Sequence, residues 1–133
     1  MDTLRWLHLS DVHFSDGESY EIKRMRDSII DKMKEVFEKN KVDFVVLSGD
    51  LAYQGGGYDA NLKKFIESLV DVSGVSIDEL FIVPGNHDLK RTQMRSVLLN
   101  GMRTEQFKFE KETIEQLQKD FKKYMTFYNK VKG

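Results

Sequence analysis

Residues 81–88 read FIVPGNHD, an apolar run that stops at a Pro-Gly pair and is followed by three polar residues. Each of those three side chains can bind a metal ion or take part in proton transfer. Residues 7–13, LHLSDVH, and residues 44–50, FVVLSGD, show the same order of apolar run and polar end. Three such runs indicate three buried strands, each with functional side chains where it stops.

Helical patterns separate the three predicted strands, which cover residues 4–10, 42–48 and 80–83. A first helix is predicted over residues 21–39, with apolar side chains at three- and four-residue steps. These side chains are Ile22, Met25, Ile29, Met33, Val36 and Phe37. A second helix ends at Gly74 and carries Leu62, Phe65, Ile66, Leu69 and Val70. The alternation predicts an α/β fold, a parallel βαβαβ unit, and the unbroken apolar run 44–47 predicts a central strand buried on both faces.

Two more helices are predicted after residue 88. A short helix is predicted to end near Gly101, and an aromatic-rich amphipathic helix of about five turns is predicted over residues 114–131. Thr113 and Gln116 resemble a capping box at its start. We expect this helix to pack on the sheet, to cap the site, or to contact another copy of the chain.

Composition bounds the class of protein. The chain has 133 residues, enough for one domain, and its 22 acidic and 21 Lys or Arg residues give a net charge of −1. This balance gives no special support to non-specific nucleic-acid binding. The chain contains no Cys, which excludes disulfides and Cys-based zinc sites. We find no signal peptide and no apolar run of the roughly 20 residues that a membrane span needs, and we predict a cytoplasmic protein.

The polar ends of the first two strands predict a metal site. Asp11 and His13 stand two residues apart, and a carboxylate with an imidazole suits Mn²⁺, Fe²⁺ or Zn²⁺. Asp50 follows Gly49, which allows a tight turn, and a central carboxylate can bridge two metal ions. In open α/β sheets, ligands bind beyond the carboxyl ends of the strands, where these residues fall.

The third strand adds an amide, an imidazole and a carboxylate. Asn86 can supply a neutral oxygen ligand, and His87 can act as an acid or a transition-state donor. Asp88 can fix the tautomer of His87 and raise its basicity. Each motif taken singly is more often ordinary turn chemistry, but three of them at the strand ends of one sheet favour a shared site.

Other polar residues have competing interpretations. His8, inside the first strand, is expected to be a core or supporting residue rather than a metal ligand. The Gly-rich segment 55–57 lacks the Lys-Ser/Thr of a P-loop and is predicted to be a flexible loop. Four basic residues either contact substrate phosphate or form a solvated face: Lys90, Arg91, Arg95 and Arg103.

The three motifs resemble, in order and spacing, the first three motifs of the calcineurin-like metallophosphoesterases. The matching segments, within roughly residues 4–90, are Asp11-x-His13, Gly49-Asp50-(four residues)-Gly55 and Gly85-Asn86-His87-Asp88. The resemblance implies a hydrolase with two divalent metal ions (Mn, Fe or Zn), in which metal-bound hydroxide attacks a phosphodiester or phosphomonoester.

The resemblance also implies a role for each residue. Asp11 and His13 would ligate the first metal, Asp50 would bridge both, and Asn86 would ligate the second. His87 would stabilise the transition state or protonate the leaving group, with support from Asp88.

The later motifs of that family, an isolated His and a Gly-His-x-His, have no counterpart here, because no His follows His87. The chain therefore resembles the N-terminal half of the family's α/β/β/α sandwich, followed by a C-terminal amphipathic helix. We divide it into residues 1–103, that half domain, and residues 104–133, a helical extension.

This comparison leads to several expectations about function. We expect weak metal binding and poor turnover from this chain alone, with the 114–131 helix packing on a missing half or on another copy. The substrate stays open among cyclic nucleotides, nucleic acids and phosphoproteins. A non-catalytic binding or regulatory module with the same fold is the alternative.

Overall fold

The structure is a computed structural model that describes residues 3–15, 17–90, 92–104 and 110–133. Three strands and five helices occur within these ranges. The strands are β1 (Trp6–Ser10), β2 (Phe44–Ser48) and β3 (Leu80–Val83). The helices are α1 (Tyr20–Phe37), α2 (Ala60–Ser73), α3 (Gln93–Arg103), α4 (Lys111–Gln118) and α5 (Lys122–Lys132). Arg91, one of the four basic residues considered as phosphate contacts, lies outside the described ranges.

The three strands form one parallel sheet in the order β1-β2-β3, as the sequence predicts. Ser10 is level with Ser48, and Ser48 is level with Val83, so the three strands stop at one edge. The predicted α/β class and the C-terminal helix are confirmed. The alignment of strand ends matters for function, because it brings the three polar segments to the same side of the molecule.

The hydrophobic core lies on one face of the sheet. Val45 and Leu47 of β2 and Leu80 and Ile82 of β3 point into it and are buried. Helices α2 and α5 cover them with Leu62, Phe65, Ile66, Leu69, Tyr124 and Phe127. Helix α2 begins at an Asp59 cap and ends at Gly74, whose φ of 71° is left-handed. The predicted stop at Gly74 is therefore confirmed.

Within the described residues no helix covers the opposite face of the sheet, and the β2 side chains on it are half-buried by their neighbours. The prediction that both faces of β2 are buried therefore holds in full for one face only. The rings of Trp6, Phe44 and Phe81 form a row across this face, with centroids 5.5 and 5.8 Å apart. Trp6 is 65% and Phe81 53% exposed. The unbroken apolar run of β2 reflects a sheet that is apolar on both faces but covered by helices on one.

The inward side of α1 differs from the predicted stripe. Ile22, Met25 and Val36 are exposed, whereas Ile30 and Met33 pack against the core. Arg26, four residues before Ile30, is the buried residue of this helix. The predicted stripe combined residues from two neighbouring sides of the helix. It left out Arg26, the charged residue on the inward side.

The predicted five-turn C-terminal helix is interrupted. Helix α4 ends at Gln118, a 3₁₀ turn covers Lys119–Phe121, and α5 follows. Thr113 lies inside α4, whose N-cap is Glu110, so the predicted capping box is wrong. Helix α5 packs on the sheet, where the Tyr124 hydroxyl donates to the Ile82 carbonyl at 3.1 Å. Within the described ranges, no helix has the length and apolar character to cross a membrane.

Candidate metal centre

Three loops meet beyond the carboxyl edge of the sheet: loop 1 (residues 11–15), loop 2 (residues 49–59) and loop 3 (residues 84–90). Loops 1 and 2 continue the pairing of β1 with β2 through backbone hydrogen bonds. The amide of His13 donates to the Asp50 carbonyl at 2.9 Å, and that of Phe14 to the Leu51 carbonyl at 2.8 Å. These two bonds set the register of loop 1 against loop 2.

The structure brings Asp11, His13 and Asp50 together. One ligand atom from each lies within 4.8 Å of the others. Nε2 of His13 is 3.8 Å from Oδ1 of Asp11 and 4.0 Å from Oδ2 of Asp50. Small side-chain rotations would let all three reach one ion at the roughly 2.0–2.2 Å typical of nitrogen and oxygen ligands.

Two further observations test whether these residues fit a metal ion. Nε2 of His13 faces both carboxylates, and its Nδ1 is buried without a hydrogen-bond partner within the described part of the chain. The donor set is two carboxylates and an imidazole, a combination that suits borderline divalent metals. The group therefore fits a divalent cation, as the sequence predicts.

The backbone is strained at these same residues. Positive φ angles occur at four non-glycine residues of the described chain: Asp11 (57°), His13 (47°), Asp50 (52°) and Gln54 (51°). Such left-handed conformations cost about 1–3 kcal/mol each and persist where the surrounding structure enforces them, often at functional sites. Three of the four are predicted metal ligands, so the strain is concentrated where ligand geometry is set.

Loop 3 joins the cluster through Asp50. Oδ1 of this carboxylate accepts a hydrogen bond from the His87 amide at 2.8 Å, which leaves Oδ2 facing His13. Gly85 lies so close that a Cβ atom there would collide with both the side chain and the amide of Asp50. Glycine at position 85 is therefore required for loop 3 to approach the central carboxylate.

Asp88 is fully buried and joins loops 2 and 3. Its carboxylate accepts from the amides of Leu51 (3.1 Å), Ala52 (2.8 Å) and Gly85 (2.8 Å). The Tyr58 hydroxyl also donates to it, at 2.8 Å. These contacts give Asp88 a structural role, and its predicted role in orienting the His87 ring stays a prediction.

Tyr58 supports this carboxylate from loop 2, where its ring packs against Tyr124 and Phe127 of α5. Burial raises the pKa of the Tyr58 hydroxyl well above its ordinary value, and its hydrogen bond to Asp88 raises it further. The hydroxyl therefore stays protonated and acts as a donor over the whole physiological pH range. Nothing in the sequence context of Tyr58 marks it as part of the site.

Aromatic contacts hold the two imidazoles of the site. The His13 and His87 rings meet edge to face, with centroids 5.2 Å apart. Tyr53 stacks on His87 at 5.3 Å and 16° between the planes, and it also meets the edge of His13 at 6.1 Å. Asn86, the predicted ligand of a second metal, is exposed in loop 3 next to His87. Tyr53 is a site residue that the sequence analysis missed, because it occupies an unspecified position of the second motif.

The structure decides some of the predictions for the remaining polar residues and leaves others as predictions. His8 is exposed on the open sheet face, with Nε2 2.5 Å from the Ser48 hydroxyl. A core position is therefore wrong, whereas the alternative of a supporting role stays a prediction. Arg95 is within 3.5 Å of Asp120. Phosphate contacts by Lys90, Arg95 and Arg103 stay predictions, and Arg91 lies outside the described residues.

Comparison with known proteins identifies the family. The family model described as calcineurin-like phosphoesterase matches residues 4–132. The chain belongs to the calcineurin-like phosphoesterases. Proteins of this family are phosphoester hydrolases that typically bind divalent metals, and the structure contains one Asp-His-Asp group within the described residues.

Two relatives of this calcineurin-like phosphoesterase differ in how much of the chain they match. An uncharacterized metallophosphoesterase-like protein of Bacillus subtilis, YydB, is 31% identical over 99 residues, or 74% of this chain and 20% of its own length. A threonine–tRNA ligase of Mycoplasmopsis pulmonis is 28% identical over 61 residues, or 46% of this chain and 10% of its own. The chain thus spans a fifth or less of the curated relatives that it matches.

Proposed function

We propose that this chain supplies the N-terminal part of a two-metal phosphoester hydrolase site. Asp11 and His13 would hold one divalent ion, Asp50 would bridge to a second, and Asn86 would ligate the second. Bound at that position, the ions would lower the pKa of water and polarise the phosphoryl oxygens. The observation that carries the proposal is the cluster of Asp11, His13 and Asp50 beyond the aligned strand ends.

Two contacts support the proposal that His87 is an acid or a transition-state donor. Its ring lies 5.2 Å from the ligand His13 and is stacked on Tyr53, so it faces the same space as the metal cluster. Its backbone amide is fixed on Asp50. We infer that loop 3 positions the His87 imidazole to donate a hydrogen bond or a proton to a phosphoester oxygen, with Asp88 supporting the loop.

The proposal includes ligands from outside this chain. The described residues contain one cluster of three or more His, Asp or Glu ligand groups, whereas two metals need more ligands than these three and Asn86 provide. We propose that the remaining ligands come from a C-terminal half of the same protein or from another chain. The open, aromatic face of the sheet and the helices of residues 111–132 are the surfaces offered for such packing.

Manganese binding directly tests the cluster of Asp11, His13 and Asp50. The free Mn²⁺ signal in electron paramagnetic resonance measures the affinity of the chain and of Asp50→Asn. Asp43→Asn is the matched control, because Asp43 flanks the other end of β2 and accepts the Arg5 amide. We expect weak binding, at least tenfold weaker in Asp50→Asn and unchanged in Asp43→Asn. Equal binding by all three proteins would contradict the proposal.

Hydrolysis of bis-p-nitrophenyl phosphate tests the chemistry. We expect slow, metal-dependent turnover by this chain that His87→Ala abolishes while Mn²⁺ binding is kept. Tight binding of two ions with rapid turnover by the monomer would overturn the proposal that ligands are missing.

A non-catalytic binding module is the alternative, favoured by the small number of ligands within the described residues. The two functions differ in how they respond to His87→Ala. A binding module would retain its phosphoester affinity and show no metal-dependent turnover before or after the substitution. For the enzyme, phosphodiesters and phosphomonoesters both stay open as substrates, and the cytoplasmic location stays a prediction.

A further inference from the structure

A buried ion pair stands directly behind loop 1. Arg26 of α1 is 6% exposed, and its Nη1 donates to the carboxylate of Glu18. Nη2 of the same guanidinium donates to the Val12 carbonyl at 2.9 Å and to the His13 carbonyl at 3.3 Å. The charged pair therefore contacts the backbone on both sides of the His13 amide.

The pair is held in a fixed geometry by its surroundings. The guanidinium carbon of Arg26 lies 3.6 Å from the centre of the Phe14 ring, a cation–π contact. The second oxygen of Glu18 accepts the Ser15 amide at 2.8 Å. Arg26 thus binds the carbonyls of Val12 and His13 and the ring of Phe14. Glu18 binds the Ser15 amide at the end of loop 1.

General stability does not account for this arrangement. Burying two charges is costly, and replacing a buried ion pair by apolar residues is often neutral or stabilising. Arg26 also occupies the inward side of α1, in register with the apolar Ile30 and Met33. An apolar side chain would suit that position in the core, whereas a planar guanidinium can bind a carboxylate and two carbonyls at once.

We propose that Arg26, oriented by Glu18, is a positioning residue for the metal centre, an inference that rests on the proposed function. Its bonds to the Val12 and His13 carbonyls hold His13 at a φ of 47°. Without these bonds, the backbone of His13 would adopt the more favourable β region. With His13 fixed, its Nε2 stays within 4.0 Å of both Asp11 and Asp50. Without the pair, loop 1 relaxes and the imidazole leaves the carboxylates.

A double variant, Glu18→Leu with Arg26→Met, tests the proposal, because removing both charges leaves neither one buried alone. The matched control is Lys32→Met with Glu35→Leu, an exposed ion pair on the same helix. Circular dichroism and urea unfolding confirm that each is folded. We expect Mn²⁺ affinity at least tenfold weaker in the first variant and unchanged in the control. A folded Glu18→Leu/Arg26→Met variant with wild-type affinity would overturn the proposal.

A measurement without metal separates this inference from the proposed function. The centroid of the His13 ring lies 6.1 Å from that of Tyr53 and 5.2 Å from that of His87, so the chemical shifts of the His13 ring protons report the position of the imidazole. With both proteins at the same pH, we expect the double variant to move these shifts toward those of free histidine. If wild-type protein binds no Mn²⁺, the proposed function fails, and unchanged shifts in the folded variant would independently refute the positioning role.

Arg26→Lys keeps the test decisive if the double variant does not fold. Lysine retains the charge opposite Glu18, but its compact ammonium cannot bind the carboxylate and both carbonyls in one plane. We expect a folded protein with displaced His13 shifts and several-fold weaker Mn²⁺ binding. Wild-type shifts and affinity in Arg26→Lys would show that a charge alone is enough and that the proposed geometry is wrong.

Discussion

The backbone amide of His87 donates to Oδ1 of Asp50 at 2.8 Å, and this bond joins the predicted proton donor of loop 3 to the predicted bridging ligand of loop 2. A movement of either loop therefore changes the ligand cluster and the position of the His87 ring together. The bond is made where Gly85 brings the two backbones into contact, since an added Cβ at Gly85 would meet the Asp50 amide.

Gly85→Ala should therefore separate loop 3 from Asp50. The added methyl group meets backbone as well as side chain, so the loops must move apart, at a cost of about 1–3 kcal/mol or more. Gly74→Ala is the control, because Gly74 has a φ of 71° but nothing within 4 Å of an added Cβ; its cost is the left-handed penalty alone, about 1–2 kcal/mol. Urea unfolding with Mn²⁺ titration distinguishes the two: only Gly85→Ala should also lose metal affinity. Equal metal affinity in both variants would show that loop 3 does not set the geometry of Asp50.

Asp88→Asn should destabilise the protein strongly. Three backbone amides and the Tyr58 hydroxyl donate to the Asp88 carboxylate, and an amide replaces one acceptor oxygen by a donor. Each buried donor left unsatisfied costs about 1–3 kcal/mol, so we expect a loss of at least about 2 kcal/mol in the free energy of unfolding. Asp59→Asn is the control, because Asn caps a helix about as well as Asp. If thermal unfolding gave the same midpoint for both variants, the assigned role of Asp88 would be incorrect.

The sequence predicted the sheet and the place of the site because both depend on local patterns. Apolar runs that end in Asp11, Asp50 and Asn86 mark strands and their carboxyl ends, and parallel pairing then brings those ends to one edge. The structure confirms this order and brings Asp11, His13 and Asp50 together, and their role as metal ligands stays a prediction. The fold and the ligand cluster thus follow from short-range information.

The contacts that support the cluster did not follow from the sequence, because they join residues distant along the chain. Tyr58 reaches Asp88 across 30 positions, and Arg26 reaches Val12 across 14. One feature of the sequence could have indicated the role of Arg26: it is in register with Ile30 and Met33 on the inward side of α1. The apolar spacing gives no sign of the break between α4 and α5, because three- and four-residue steps continue through the break.

Removing the ring stacked on His87 should change the environment of that imidazole. Tyr53 lies parallel to it at 5.3 Å, and protons above an aromatic ring are shielded. We expect Tyr53→Ala to move the His87 ring protons downfield in the proton NMR spectrum, whereas Tyr53→Phe, which keeps the ring, should not. Tyr20→Ala is a control at an exposed tyrosine. Unchanged His87 shifts in Tyr53→Ala would mean that the two rings do not stack in solution.

Tyr124 predicts how stability depends on alkaline pH. Burial raises the pKa of its hydroxyl to about 12, from the ordinary value of 10. Between these values the folded protein retains a proton that the unfolded chain releases, so stability contributed by Tyr124 is complete below pH 10 and is lost as the pH rises toward 12. Tyr124→Phe removes the hydrogen bond to the Ile82 carbonyl and should cost about 0.5–1.5 kcal/mol at about pH 8.

At about pH 11, wild-type protein should lose part of that advantage over Tyr124→Phe, because only the wild type carries the ionising hydroxyl. Urea unfolding of both proteins at the two pH values measures the change, and comparing the two cancels the titration of the other residues. Met125→Leu, a neighbouring exposed change without a titrating group, should show the same difference from wild type at both values. A gap between wild type and Tyr124→Phe that stays constant or widens with pH would mean that the Tyr124 hydroxyl is not held in the buried contact between α5 and β3.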